Sequence, residues 1–115
     1  LIVEDDEVST IFLNNVLKNK LHEILHVDTG KKAVELCRNM PDIDIVLMDI
    51  KIPDMNGYEA TREIRKFNKE ILIIAQTAYG LAGDREKALA TGCNDYISKP
   101  INRIELKDKI AKLVT

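Results

Sequence analysis

The stretch Ile43-Asp44-Ile45-Val46-Leu47-Met48-Asp49-Ile50-Lys51-Ile52-Pro53-Asp54-Met55-Asn56-Gly57 decides the fold. Ile43 to Met48 is an apolar run of buried-strand length, bounded on both sides by turn-forming residues. Asp49 follows where the strand is expected to stop. The loop holding Pro53 and Gly57 then ends regular structure and restarts it as a helix. A carboxylate at the carboxyl end of a central parallel strand lies where open α/β sheets place their ligands. Asp49 is also readable as a turn or capping aspartate, so the flanking chain must decide between the two.

Upstream, Leu1-Ile2-Val3 is apolar and β-prone, and Glu4-Asp5-Asp6-Glu7 follows it. Four consecutive acids repel one another unless a cation or solvent relieves them. Val8, Ile11, Phe12 and Val16 recur at helical spacing, which predicts a first helix running to about Lys20. Ile24 to Val27 reads as a second strand, made polar and edge-like by His22 and His26. Neither His has a second ligand at suitable spacing, so both read as surface residues. Gly30 breaks the chain, and Ala33, Val34, Cys37 and Met40 mark the inner stripe of a second helix. Pro41-Asp42 turns into the central strand.

Downstream, Ala60, Ile64 and Phe67 share one face of a third helix whose other faces are charged. Glu70 to Ala75 is apolar almost throughout, as a parallel strand covered on both faces should be. Gln76-Thr77-Ala78-Tyr79-Gly80 follows it, and Gly80 and Gly83 bracket a permissive loop. The Asp84 to Thr91 helix has only a thin apolar stripe. Asp95 to Ser98 is a short fifth strand ended by Lys99-Pro100, and Ile104, Ile110, Leu113 and Val114 lie along a last helix. The resulting βαβαβαβαβα pattern, without repeat, linker or low-complexity segment, implies a parallel sheet covered on both faces. Strand order does not follow from the pattern.

The 115 residues suffice for one domain, 1–115, with a real core. A net charge of −2 supplies no basic field, which excludes nucleic acid as a partner of this segment itself. No run reaches bilayer length, no signal peptide is visible, and no membrane contact by this domain is expected. The chain begins at Leu1 without methionine and reads as a fragment or ordered core of a longer protein. Cys37 and Cys93 lack metal-ligand spacing and read as reduced, partly buried cytoplasmic thiols.

In such a sheet every strand's carboxyl end points to one edge, where Glu4, Asp5, Asp49, Thr77 and Lys99 fall, from four different strands. Three crowded carboxylates raise one another's pKa unless a cation joins them. Mg²⁺ suits such a site, with hard oxygen ligands and retained waters, whereas the lack of cysteine and histidine at these ends argues against zinc. Lys99 adds a mobile positive charge and Thr77 a hydroxyl donor, both suited to phosphoryl oxygens. A carboxylate nucleophile, a divalent ion, a cation and a hydroxyl together describe phosphoryl transfer.

Val3-Glu4-Asp5, Leu47-Met48-Asp49 with Pro53 and Gly57, Thr77-Ala78 and Tyr96-Ile97-Ser98-Lys99-Pro100 resemble the receiver domain of bacterial two-component response regulators. The resemblance covers nearly the whole chain. It implies a flavodoxin-like (βα)5 fold, a doubly wound five-stranded parallel sheet of order 2-1-3-4-5. By the same resemblance, Asp49 accepts a phosphoryl group from a histidine kinase or histidine phosphotransfer protein. Mg²⁺ is held by Asp5 directly, by Glu4 more through water, by Asp49, and by the backbone carbonyl of Lys51. Thr77 and Lys99 bind the phosphoryl oxygens, Tyr96 is the aromatic switch residue, and Pro100 follows a cis peptide bond. Lys51 and Tyr79 stand where the family varies, which leaves the lifetime of the phosphorylated state open.

Read this way, the chain is a phosphoacceptor that assists its own phosphorylation and dephosphorylation, not a free-standing enzyme. A pseudo-receiver acting only as an interaction module should lack a site acid, the threonine or the lysine, and all are present. A haloacid-dehalogenase-type phosphatase needs a second acid two residues after its nucleophile, where Lys51 stands. Dinucleotide binding needs a glycine-rich turn after the first strand, where Glu4 to Glu7 stand. Gln76 to Tyr79 and Asn94 to Tyr96 look most like receivers of hybrid sensor histidine kinases, with a stand-alone regulator second and a DNA-binding regulator third. The expected location is cytoplasmic, with membrane anchoring only through such a parent kinase. Lys87, Glu105, Asp95 and Lys109 supply part of a charged homodimer pattern, although Asn94 replaces a usual acid, so oligomeric state stays open.

Overall fold

The structure, a computed structural model, describes residues 1–17, 24–52, 54–78 and 83–114. Five strands alternate with five helices: β1 (Ile2–Val3), α1 (Glu7–Leu17), β2 (His26–Val27), α2 (Gly30–Asn39), β3 (Ile45–Asp49), α3 (Gly57–Arg65), β4 (Leu72–Thr77), α4 (Asp84–Thr91), β5 (Asp95–Ser98) and α5 (Arg103–Val114). All strand pairs are parallel and the sheet order is β2-β1-β3-β4-β5, as the resemblance implied. The expected end of the first helix at Lys20, together with His22, Pro53, Tyr79, Gly80 and the terminal Thr115, lies outside the described residues.

Alternation along the strands sorts the core into two layers. Val3, Val46, Met48, Ile73 and Ala75 pack against Ala33, Val34 and Cys37 of α2, Tyr58, Ala60 and Ile64 of α3, and Ala88 of α4. Ile2, Ile45, Leu47, Ile74 and Ile97 pack on the other face against Leu13, Val16 and Leu17 of α1 and Leu106 and Ile110 of α5. Both cysteines are free and buried.

Several expected boundaries shift. β3 starts at Ile45 and includes Asp49 as its last residue, because Asp49 still pairs in register with Gln76. β4 likewise runs Leu72–Thr77, two residues later than its apolar pattern predicts, so Gln76 and Thr77 belong to the strand and not to the loop. β2 is limited to His26–Val27, at the sheet edge. Of the residues whose helical spacing predicts α1, Val8 and Ile11 are 75% and 56% exposed and Val16 is buried; the buried stripe is Leu13, Val16 and Leu17. On α5, Ile104 is 71% exposed and Leu106 takes the core position.

The loop after β3 is built to bring α3 close to the sheet. Asn56 caps the helix by accepting from the Glu59 backbone N–H at 2.9 Å, while its own amide donates to the Glu59 carboxylate at 2.9 Å. Gly57 donates its N–H to the Ile50 carbonyl at 2.9 Å. A Cβ there would lie 2.5 Å from the Asp49 carbonyl oxygen, so only glycine permits this approach.

Candidate functional site

Parallel register sets the carboxyl ends of four strands side by side, through Val3↔Met48, Asp49↔Gln76 and Thr77↔Ser98. Carboxylate oxygens of Glu4, Asp5 and Asp49 lie within 4.8 Å of one another. Lys99 Nζ donates to Asp49 Oδ2 at 2.8 Å and to Glu4 Oε2 at 3.3 Å. Backbone groups hold the remaining oxygens: the Asp6 N–H donates to Glu4 Oε1 at 3.2 Å and the Lys51 N–H to Asp49 Oδ1 at 3.0 Å. Lys99 is itself placed by its N–H, which donates to the Thr77 carbonyl at 2.7 Å, and its bond to Pro100 is cis, as expected. Glu4 and Asp49 are buried, whereas Asp5 faces solvent and opens the site.

Burial pushes the Glu4 carboxyl up to about 7, and the hydrogen-bonding and charge of neighbouring Asp49 push the same way against the pull of Lys99. For Lys99, burial works to lower the pKa, but the bond to Asp49 and the charges of Asp49 and Glu4 outweigh it and hold the ammonium above its ordinary value. Lys99 therefore stays charged. One ammonium faces three carboxylates, with no histidine or cysteine in the cluster. These hard oxygen donors fit Mg²⁺, which would offset the excess negative charge and is suited to a site that keeps waters and meets phosphate.

Thr77 is 4% exposed and its Oγ1 has no hydrogen-bond partner among the described residues, which leaves its hydroxyl to donate to a ligand. Strand alternation sets Thr77 on the α3/α4 side of the sheet, the side against which Tyr96 packs. Lys109 Nζ lies 5.6 Å from the centre of the Tyr96 ring and pairs with Asp95 at 3.2 Å. That ion pair lies within one chain. The Lys51 side chain is exposed. The described site residues expected from the sequence thus lie at one edge of the sheet, with Tyr96 two residues before the end of β5 and paired with Ala75.

Three participants were not foreseen. Asp54 reaches across to α2, where its two carboxylate oxygens accept from the N–H groups of Gly30 and Lys31 at 2.8 Å each, tying the loop after Asp49 to a helix N-terminus. Nothing local in sequence links these positions. His26, read as a surface residue, places Nε2 2.8 Å from the Glu4 carbonyl oxygen and so braces the acidic turn. Gln76, read as loop, is buried beside Asp49. Its signal was present: a polar residue continuing an apolar strand pattern at the functional edge.

Comparison with known proteins agrees with this geometry. The family model described as the response regulator receiver domain matches residues 1–111, and the chain belongs to that family. It is 32% identical over 114 residues to the signal transduction histidine-protein kinase BarA of Escherichia coli K12, covering 97% of this chain but 12% of BarA. The solved receiver domain of sensor histidine kinase PA1611 from Pseudomonas aeruginosa, which has a magnesium ion coordinated in its active-site cleft, superposes with a TM-score of 0.86 at 36% identity, covering 98% of this chain and 93% of that one. A co-crystal structure of the Saccharomyces cerevisiae histidine phosphotransfer signaling protein Ypd1 with the receiver domain of its downstream response regulator Ssk1 matches with a TM-score of 0.90 at 31% identity, covering 97% of this chain and 85% of that one. Among the described residues no helix is long and apolar enough to cross a membrane.

Proposed function

We propose that this receiver takes a phosphoryl group onto Asp49 from a phosphohistidine donor, a histidine kinase or a histidine phosphotransfer protein. A carboxylate oxygen of Asp49 attacks phosphorus, the donor's N–P bond breaks as the P–O bond forms, and the imidazole leaves. The observation that carries this reading is the clamp on Asp49: a buried carboxylate held by the Lys51 N–H at 3.0 Å and by Lys99 Nζ at 2.8 Å, in a cluster with Glu4 and Asp5. Such positioning and charge stabilisation are most of what phosphoryl transfer asks of a protein.

Glu4, Asp5, Asp49 and the Lys51 carbonyl would hold Mg²⁺, whose chemistry is to neutralise charge on the transferring oxygens. Lys99 follows those oxygens as a point charge, and the Thr77 hydroxyl donates to one of them. A change at Thr77 would pass to Tyr96 and so to the face formed by α4, β5 and α5. The likeness to BarA and PA1611 supports a place within a hybrid sensor kinase, and the Ypd1–Ssk1 match supports a histidine phosphotransfer partner.

Acetyl phosphate with Mg²⁺ should add one phosphoryl group, labile to acid and base, as read by intact mass. Asp49→Asn should abolish it. Labelling that persists in Asp49→Asn means another residue is the nucleophile.

A further inference from the structure

Gln76 has no part in the chemistry above, yet its burial is costly. It is 1% exposed, and among the described residues neither Oε1 nor Nε2 has a hydrogen-bond partner. A primary amide carries two donors and an acceptor, and burial without partners leaves them uncompensated. A methionine or leucine would fill a similar volume with no polar atoms to desolvate. Packing alone therefore gives no reason for glutamine here.

Its position supplies one. Register sets Gln76 directly between Asp49 of β3 and Ile97 of β5. Alternation turns its side chain toward the layer of Ile74, Leu47 and Ile97, whose strand rows continue into Asp49 and Lys99. The amide thus sits where the apolar α1/α5 layer meets the charged edge. Lys99 has three donors, of which bonds to Asp49 at 2.8 Å and Glu4 at 3.3 Å account for two. A neutral acceptor suits the third, because another carboxylate would add to the repulsion among Glu4, Asp5 and Asp49.

We propose that Gln76 is a positioning residue for Lys99: its Oε1 accepts from the ammonium, and its amide N–H faces Asp49, when Asp49 gains a phosphoryl group and Lys99 turns to the new oxygens. The unpartnered amide of the unmodified site becomes satisfied in the modified one, so its burial favours the modified arrangement. This rests on the phosphoacceptor reading of Asp49.

The test compares wild type with Gln76→Met in three measurements. Thermal melting should rise by about 3 °C or more in the variant, because a buried unpaired amide is gone. Labelling by acetyl phosphate with Mg²⁺ should nevertheless slow by about fivefold to a hundredfold, through misplaced Lys99. In wild type, the side-chain amide NMR pair of Gln76, identified by its loss in the variant, should shift when Mg²⁺ and beryllofluoride are added. A lower melting temperature in Gln76→Met, an undiminished labelling rate, or an amide pair that stays put each overturns the role of Gln76. Wild type that fails to label at Asp49 overturns instead the phosphoacceptor reading beneath it.

Discussion

At the amino edge of the sheet Arg65 donates to four oxygens, while at the carboxyl edge Gln76 and Thr77 bury polar atoms that have no partner among the described residues. The Arg65 guanidinium reaches the Gly92 carbonyl at 2.9 Å, those of Asn68 and Ile71 at 3.2 and 2.6 Å, and Asn94 Oδ1 at 2.9 Å. Asn94 Oδ1 also accepts from the Ile73 N–H at 2.8 Å, and the Asn94 N–H donates to the Ile73 carbonyl at 2.7 Å. Gly92, at φ 111°, lets the chain turn against the Arg65 stem, where a Cβ would meet Cγ at 2.9 Å. A fully satisfied network rigidifies one arrangement. The carboxyl edge keeps a carboxyl raised to about 7 and two orphan polar side chains, all of which a ligand can relieve. One edge holds the fold and the other is left unfinished for chemistry.

The largest expected effect breaks the finished edge. Arg65→Ala removes four charge-assisted bonds and leaves three carbonyls in two turns without this partner, at a cost of about 3 kcal/mol. Urea unfolding should show that loss, while the variant, kept cold enough to stay folded, labels with acetyl phosphate at the wild-type rate. Unchanged stability would mean that the clasp is decorative, and a slowed rate would mean that the two edges are coupled.

The contrast also explains what the sequence disclosed. Glu4, Asp5, Asp49 and Lys99 were legible because a parallel sheet sends every strand's carboxyl end to one edge, so strand placement sufficed to gather them. The Arg65 clasp was not, since its partners lie 27 and 29 residues away at Gly92 and Asn94 and leave no local spacing. Strand β4 was read two residues early because Gln76 and Thr77 are polar, and polarity ordinarily marks the end of a buried strand. The spacing of Val8, Ile11, Phe12 and Val16 predicts the first helix but not its buried face, because Leu13, Val16 and Leu17 form a second acceptable stripe that shares only Val16 with it. Only the position of the sheet selects between them.

A smaller effect tests the unfinished edge through pH. The folded-state value of Glu4 is raised, from 4.5 to about 7, chiefly by burial. Its protonated form is therefore the one folding favours. The contribution is fully present below about 4.5 and is lost as pH rises through about 7. Glu4→Gln keeps the shape and fixes the neutral state, so the metal-free variant should be more stable than wild type at about pH 8, by about 1–3 kcal/mol, and its stability should vary less toward pH 5. Mg²⁺ should recover wild-type stability above pH 7 but leave Asp5→Ala unaffected. Melting curves in chelator and in Mg²⁺ check both. A slope that persists in Glu4→Gln would place the titrating group elsewhere.

The smallest effect on stability, and the most informative for signalling, comes from Thr77. Its hydroxyl is buried and unpartnered among the described residues, so Thr77→Ala gives up no hydrogen bond to them and should change stability by less than about 1 kcal/mol. Labelling at Asp49 should continue, because the Lys51 N–H and Lys99 still hold the carboxylate. What should weaken is transmission. Thr77 pairs in register with Ser98, and Tyr96 packs on the same side of the sheet, next to α4. Helix α4 is anchored mainly by Ala88 and Thr91 and leaves Leu89 42% exposed, which suits an element held loosely enough for one hydrogen bond to bias. Tyr96 is in turn steadied by the Lys109 ammonium 5.6 Å from its ring, a contact that ring rotation would break. Backbone NMR shifts in residues 83 to 98, with and without beryllofluoride and Mg²⁺, should therefore be smaller in Thr77→Ala than in wild type. If the variant shows the full wild-type pattern, the unfinished edge reaches Tyr96 by some route other than this hydroxyl.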